Sequence, residues 1–265
     1  LLASTGRVSA ADVCYFTGAS MRTLKNMEKA GIVTFSEEEA LRLSPPKQSG
    51  EAAPPIVLND EQEAAFRAIT AYIRSGRPEA VLLQGVTGSG KTQVYLRLVQ
   101  DILEQGKTAI VLVPEIVLTP QMMQRFSSYF GEKVVMLHSS LRMSERYDQW
   151  KRIRRGEVRV VLGTRSAIFA PLKDLGLIVL DEEQEGSYRS EMPPRYHTRD
   201  VAKYLCARSN ATLVLGSATP SVETAWAAET GIYHKAVLEH RYNQKALPET
   251  IVADMRQEVR AGNAG

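Results

Sequence analysis

Two short stretches carry the side chains that could do chemistry. The first is GVTGSGKT, Gly85 to Thr92, which matches the spacing G-x-x-x-x-G-K-[ST]. In that pattern the backbone N–H groups of Gly85, Val86, Thr87, Gly88, Ser89 and Gly90 can turn inward around phosphate oxygens. Lys91 then reaches the β- and γ-phosphates, and Thr92 offers its hydroxyl to Mg²⁺. The stretch predicts nucleotide binding without specifying what the nucleotide drives. The second is LIVLDEE, Leu177 to Glu183, where an apolar run delivers carboxylates. Asp181 is expected to hold Mg²⁺ through water, and Glu182 to orient and deprotonate the water that attacks the γ-phosphate. Lys91, Asp181 and Glu182 are therefore the candidate catalytic residues. Four acids within five positions (181–185) could also end a strand as a solvated turn. The phosphate loop upstream favours the chemical reading.

These stretches need elements that bring them to one edge. After Pro55, short apolar runs alternate with helical patterns: AVLLQ, TAIVLV, KVVML, VRVVL, LIVL and TLVLG. Helices are expected from Lys91, over Leu118–Tyr129, Glu145–Arg155 and Thr198–Ala207. Strands of four to six residues separated by helices predict an α/β fold, a lobe with a mostly parallel sheet covered on both faces. Ligands in such folds sit at the carboxyl ends of the strands. Residues 56–238 are assigned to this lobe, and 239–265 to a segment leaving it.

Before the lobe, prolines at 45, 46, 54 and 55 mark residues 45–55 as a linker. Residues 1–44 contain two amphipathic patterns. SAADVCYF would be capped by Ser9, and MRTLKNMEKAG by Ser20 with Gly31 as its stop. IVTF (32–35) has strand character and SEEEALRL could return beside it. This is the outline of a winged helix-turn-helix, a small winged-helix domain with Arg22, Lys25 and Lys29 on the second helix. A small helical bundle end with solvated lysines fits equally well.

Further motifs carry a resemblance. GSATPS (216–221), GTRSAIFAP (163–171) and LNDEQ (58–62) are similar to motifs of superfamily 2 helicases, in which Gln62 would read adenine. GVTGSGKTQVYL, LVPEIVLTPQ, HSSL…ER…W, PRYHTRDVA, GSATPSVET and RYNQKALPETIVADMR together resemble the PriA-type primosomal replication-restart helicases. The resemblance spans roughly residues 56–256. It implies a RecA-like P-loop lobe and an ATP- and Mg²⁺-dependent 3′-to-5′ DNA helicase that opens abandoned forks. Its implied partners are branched and single-stranded DNA, other primosome proteins, single-stranded DNA-binding protein and the machinery that loads the replicative helicase. It also implies coupling roles for Gln184, Ser217 and Thr219. The family usually has His where this chain has Gln184, and Gln can hydrogen-bond but cannot take a charge. The family's second motor lobe with its arginine finger, its zinc-binding cysteine cluster and its 3′-end-binding domain have no counterpart here.

A motor must sense DNA beside its carboxylates, and related helicases place an aromatic and basic loop after this motif. Here Tyr188, Arg189, Arg195, Tyr196 and His197 stand there. Tyr188 is expected to stack on an unpaired base, and the arginines to neutralise phosphate. An ordinary surface loop with half-buried tyrosines is the plain alternative. Arg165, with Thr164 and Ser166, and Thr119, with Gln121, follow strand ends where helicases grip the sugar-phosphate backbone. The other basic residues between 142 and 159 read mostly as a solvated helical face.

Bulk properties exclude rather than identify. A net charge of +3 is too mild to announce a nucleic-acid binder. Cys14 and Cys206 lack CxxC spacing, which argues against a disulfide framework or a zinc site within this chain. No apolar run approaches the ~20 residues of a membrane span, and a signal-peptide pattern is absent, so a cytoplasmic location is expected. The chain begins at Leu1 and reads as a piece of something longer. A rival reading is a DNA-binding regulator whose ATP site acts as a conformational switch. It does not account for GSATP and GTRSAIFAP on successive strand ends.

Overall fold

The apolar runs become strands because each is short, rich in Val, Leu and Ile, and bounded by turn residues. In the computed structural model, residues 10–35 and 55–242 are described. The strands are β1 (Glu79–Gly85), β2 (Thr108–Leu112), β3 (Val134–Leu137), β4 (Val160–Gly163), β5 (Leu175–Asp181), β6 (Thr212–Ser217) and β7 (His234–Leu238). They form one sheet in the order β3-β4-β2-β5-β6-β1-β7, with every neighbouring pair parallel.

The helices are α1 (Ala10–Thr17), α2 (Met21–Lys29), α3 (Asp60–Arg74), α4 (Lys91–Glu104), α5 (Pro120–Phe130), α6 (Met143–Arg155), α7 (Thr198–Ser209) and α8 (Val222–Glu229). Alternate residues along the central strands feed two separate apolar clusters, one on each face. Val111, Val179 and Val214 join Ile69 of α3, Leu98 of α4 and Phe126 of α5. Ile110, Ile178 and Leu213 join Ile153 of α6, Cys206 of α7 and Ala227 of α8. Burying each such side chain is worth ~1.5–3 kcal/mol. That requirement leaves the interiors of the central strands apolar and confines polar chemistry to the strand ends.

Register then collects those ends. Asp181 lies opposite Gly216, Gln84 opposite Ser217, and Gly163 opposite Leu112. Gly163 must lack a side chain, since a Cβ there would lie 2.2 Å from the Leu137 carbonyl oxygen.

Three differences from the sequence-based expectation stand out. Residues 60–74 form a long helix, α3, started by a capping box between Asn59 and Gln62. The run HKAVL adds an unforeseen edge strand, β7, with alternating burial. Residues 32–35 do not form the expected strand, and Ile32 and Phe35 remain exposed without a neighbouring strand among the described residues. The proposed return strand at 36–43 and the Ser9 cap lie outside the described residues, as do the linker at 45–54 and residues 243–265. Ser20 does cap α2, accepting from the Thr23 N–H, and Arg22, Lys25 and Lys29 are exposed on that helix.

Candidate nucleotide-binding site

β1 ends at Gly85 and the chain turns through Val86–Gly90 into α4. Gly88 (φ 81°) and Gly90 (φ 82°) adopt left-handed backbone that glycine enters without strain. Gly90 caps α4 without any side-chain hydrogen bond, so the first N–H groups of that helix keep their donors for an anion. Ser89 Oγ is buried without a hydrogen-bond partner, and it fills the space a Cβ at Gly85 would need. Lys91 is buried at the start of α4. Its Nζ donates to the Gly85 carbonyl at 3.0 Å and lies 3.7 Å from Glu182 Oε1. Thr92 follows, half-buried.

Asp181 closes β5 and is 6% exposed. Burial pushes its carboxyl up from the ordinary 3.8 to about 6. A hydrogen bond from Tyr95 and the charge of Lys91 pull the other way, while Glu182 adds to the rise. Glu182 has φ 47°, a left-handed conformation that costs a non-glycine residue ~1–3 kcal/mol. The turn aims its carboxylate at Lys91 and lets the Glu183 N–H donate to the Gly216 carbonyl. The three candidate catalytic residues are thus brought together.

Gln184, Ser217 and Thr219 continue from that point as a hydrogen-bonded line. Gln184 Nε2 donates to Glu182 Oε2 at 2.9 Å, and Ser217 Oγ donates to Gln184 Oε1 at 2.6 Å. The Thr219 N–H donates to Ser217 Oγ at 2.9 Å. Gln184 can serve both neighbours at once because its amide carries a donor and an acceptor.

Two expected roles need correction. Gln62 is fully buried, with its Oε1 accepting from the Asn59 N–H and its Nε2 donating to the Ser89 carbonyl at 2.9 Å. So placed, it braces the phosphate-type loop, and its full burial leaves no amide surface open to adenine. Tyr188 is 1% exposed and donates its hydroxyl to the Asp181 carbonyl at 2.7 Å, so its ring cannot stack on a base. Of the neighbouring hydroxyls, Thr164 is likewise buried.

Arg189 and Arg195 are exposed. Their loop is a small antiparallel turn, bridged between Arg189 and His197 and between the Ser190 N–H and Tyr196 carbonyl. Arg165 reaches into it, donating to the Ser187 and Arg189 carbonyls, while Phe169 packs edge-on against Tyr196. Thr119 caps α5, accepting from the Met122 N–H. Of the basic residues between 142 and 159, Arg146 donates to the His138 carbonyl, and Arg159 to the Leu103 and Lys107 carbonyls at the end of α4. Both are half-buried and bound to backbone carbonyls, so a structural contact replaces the solvated face expected of them.

Two residues escaped the sequence reading. Glu183, the third acid, is buried and accepts from the Ser221 N–H (2.7 Å), the Ser221 and Thr224 hydroxyls and Arg199. It ties the acidic turn to the start of α8 rather than facing the phosphate-type loop. Tyr95 lies among apolar residues of α4, and nothing in the pattern VYL separates it from ordinary core.

A parallel sheet with a glycine loop entering a helix at one strand end and an acidic pair at another defines a P-loop nucleotide-binding lobe. The chain belongs to the DEAD/DEAH box helicase family, whose profile matches residues 59–226. It is 45% identical over 257 residues to the replication restart protein PriA of Bacillus subtilis, covering 97% of this chain and 32% of that protein. It is 47% identical over 202 residues to PriA of Treponema pallidum, covering 76% and 30%. The chain thus spans about a third of the length of these relatives. Among solved structures it resembles RecG bound to a three-way DNA junction, with TM-score 0.53 and 25% identity over 79% of this chain and 27% of that one. No helix among the described residues is long and apolar enough to cross a membrane, and no cluster of metal-binding side chains occurs among them.

Proposed function

We propose that this chain is the ATP-binding lobe of a cytoplasmic, ATP-dependent 3′-to-5′ DNA helicase that acts in replication restart and primosome assembly. The observation that carries the reading is the convergence of Lys91, which follows β1, with Asp181 and Glu182 at the end of β5, the two strands flanking β6. Glu182 is joined from there through Gln184 to Ser217 on the next strand. The likeness to PriA proteins supplies the biological setting, and the junction-bound RecG supports branched DNA as the partner.

The residues present suit Mg²⁺. Thr92 and Asp181 offer hard oxygen ligands, the buried carboxylate gains most from a cation, and the uncapped start of α4 suits the accompanying phosphates. When bound, Mg²⁺ supplies charge that offsets the phosphate oxygens. Lys91 would exchange its contacts with Gly85 and Glu182 for the β- and γ-phosphates, freeing Glu182 to accept a proton from the attacking water. Arg165, Arg189, Arg195 and the Thr119 hydroxyl would meet the DNA backbone. Displacing Arg165 from the Ser187 and Arg189 carbonyls gives the strand a route to Tyr188, which touches Asp181.

The test uses the full-length protein and the Glu182→Gln variant. Wild type should hydrolyse ATP faster with single-stranded DNA and displace strands. The variant should bind Mg²⁺-nucleotide normally while hydrolysis falls ~10²–10⁴-fold, the worth of a general base. Full hydrolysis by the variant would overturn the role of Glu182.

A further inference from the structure

Tyr95 stands on α4, one turn beyond Lys91, and is fully buried. Its hydroxyl donates to Asp181 Oδ1 at 2.9 Å, across the packing between α4 and the sheet. A neutral tyrosine this deep in a core needs a partner for its O–H. Many backbone carbonyls could serve, yet the bond goes to the carboxylate that closes β5. The neighbouring strand is shaped around it. A Cβ on Gly216 would lie 1.7 Å from the Tyr95 hydroxyl oxygen and 3.2 Å from Asp181 Oδ1. Gly216 has no positive φ to explain its lack of a side chain. The hydroxyl explains it.

We propose that Tyr95 is a positioning residue for the metal-side carboxylate. Its hydroxyl pins one oxygen of Asp181 and thereby fixes the rotation of the carboxyl group, and Gly216 is glycine to leave room for it. The inference rests on the assignment of Asp181 to Mg²⁺ made above. An outer hydrogen-bond partner of this kind orients a ligating group, and its loss typically weakens metal binding 10–100-fold. Because water intervenes between Asp181 and the metal in this reading, the lower end applies.

The experiment titrates Mn²⁺ into the 265-residue chain with ADP, read by electron paramagnetic resonance, and measures ADP affinity separately in excess chelator. Tyr95→Phe keeps the ring and removes the hydroxyl. It should raise half-saturating Mn²⁺ about tenfold while chelator-phase ADP affinity stays at the wild-type value. Gly216→Ala, which forces the hydroxyl aside, should shift Mn²⁺ in the same direction. In the double variant the two effects should fall short of their product, because both act on one bond. If Tyr95→Phe binds Mn²⁺ as wild type does while Asp181→Asn loses it, Tyr95 is packing alone and the inference falls. If Asp181→Asn also binds Mn²⁺ normally, the metal assignment falls and takes the inference with it.

Discussion

Replacing Asp181 by asparagine should make the chain more stable while weakening its response to Mg²⁺-nucleotide. The carboxyl is 6% exposed at the end of a central strand, and burial lifts it from 3.8 to about 6. At ~1.4 kcal/mol for each pH unit, holding that group ionised at neutral pH costs about 3 kcal/mol. An acid whose folded value lies above its unfolded value binds its proton more tightly in the native chain. Stability therefore falls as pH rises from about 4 to about 6, and the cost stays in full above that window. Asparagine has the same shape, does not titrate, and can still accept the Tyr95 hydrogen bond through its carbonyl oxygen. Its amide loses the attraction of Lys91 but relieves the repulsion from Glu182. A net gain of ~1–3 kcal/mol at about pH 7.5 corresponds to a rise in Tm of roughly 2–10 °C for a chain of this size. The assay is thermal unfolding at about pH 4, 5.5 and 7.5, with and without Mg²⁺-ADP. The advantage of the Asp181→Asn variant should vanish near the acid end of that series and be largest at its neutral end, and Mg²⁺-ADP should stabilise wild type more. Equal Tm values at neutral pH, or a difference that does not depend on pH, would refute the claim that a buried charge is kept there at a cost to the fold.

Two other sites make separable predictions. Glu183→Ala should destabilise by ~3–5 kcal/mol in denaturant unfolding, since it leaves Arg199 unpaired and the start of α8 without its acceptor; a change below about 1 kcal/mol would mean the clamp is idle. Arg189→Ala with Arg195→Ala should leave basal ATPase of the full-length protein intact while reducing stimulation by single-stranded DNA. The slope of log affinity against log salt should flatten by about 0.7 for each phosphate that is no longer neutralised, and an unchanged slope would make the loop ordinary surface.

The sheet was legible because both faces of every central strand are apolar, so runs such as LIVL and TLVLG stand out against their turns. Strand β7 was not, because HKAVL is an edge strand whose exposed residues, Lys235 and Val237, mix polar and apolar. At the site, GVTGSGKT and DEE were readable since their chemistry depends on backbone spacing and on charge at a strand end. Which of the four acids points where depends on the left-handed turn at Glu182, and no pattern in the chain announces that turn. The same limit explains Tyr188 and Gln62. Both are residue types that often meet ligands, and here the fold commits their polar atoms to the Asp181 and Ser89 carbonyls. Tyr95 was invisible for the opposite reason, being a polar contact carried by a side chain that looks like core.

The central claim is that Gly85–Thr92 cradles the phosphates of a nucleotide with Lys91 as its mobile cation. Calorimetric titration of the chain with Mg²⁺-ADP, beside its Lys91→Ala variant, tests this most directly. A charge-assisted hydrogen bond of this type is worth ~1.5–3 kcal/mol, so the variant should bind roughly 10- to 100-fold more weakly with its fold intact. Equal affinity in the two proteins would contradict the account.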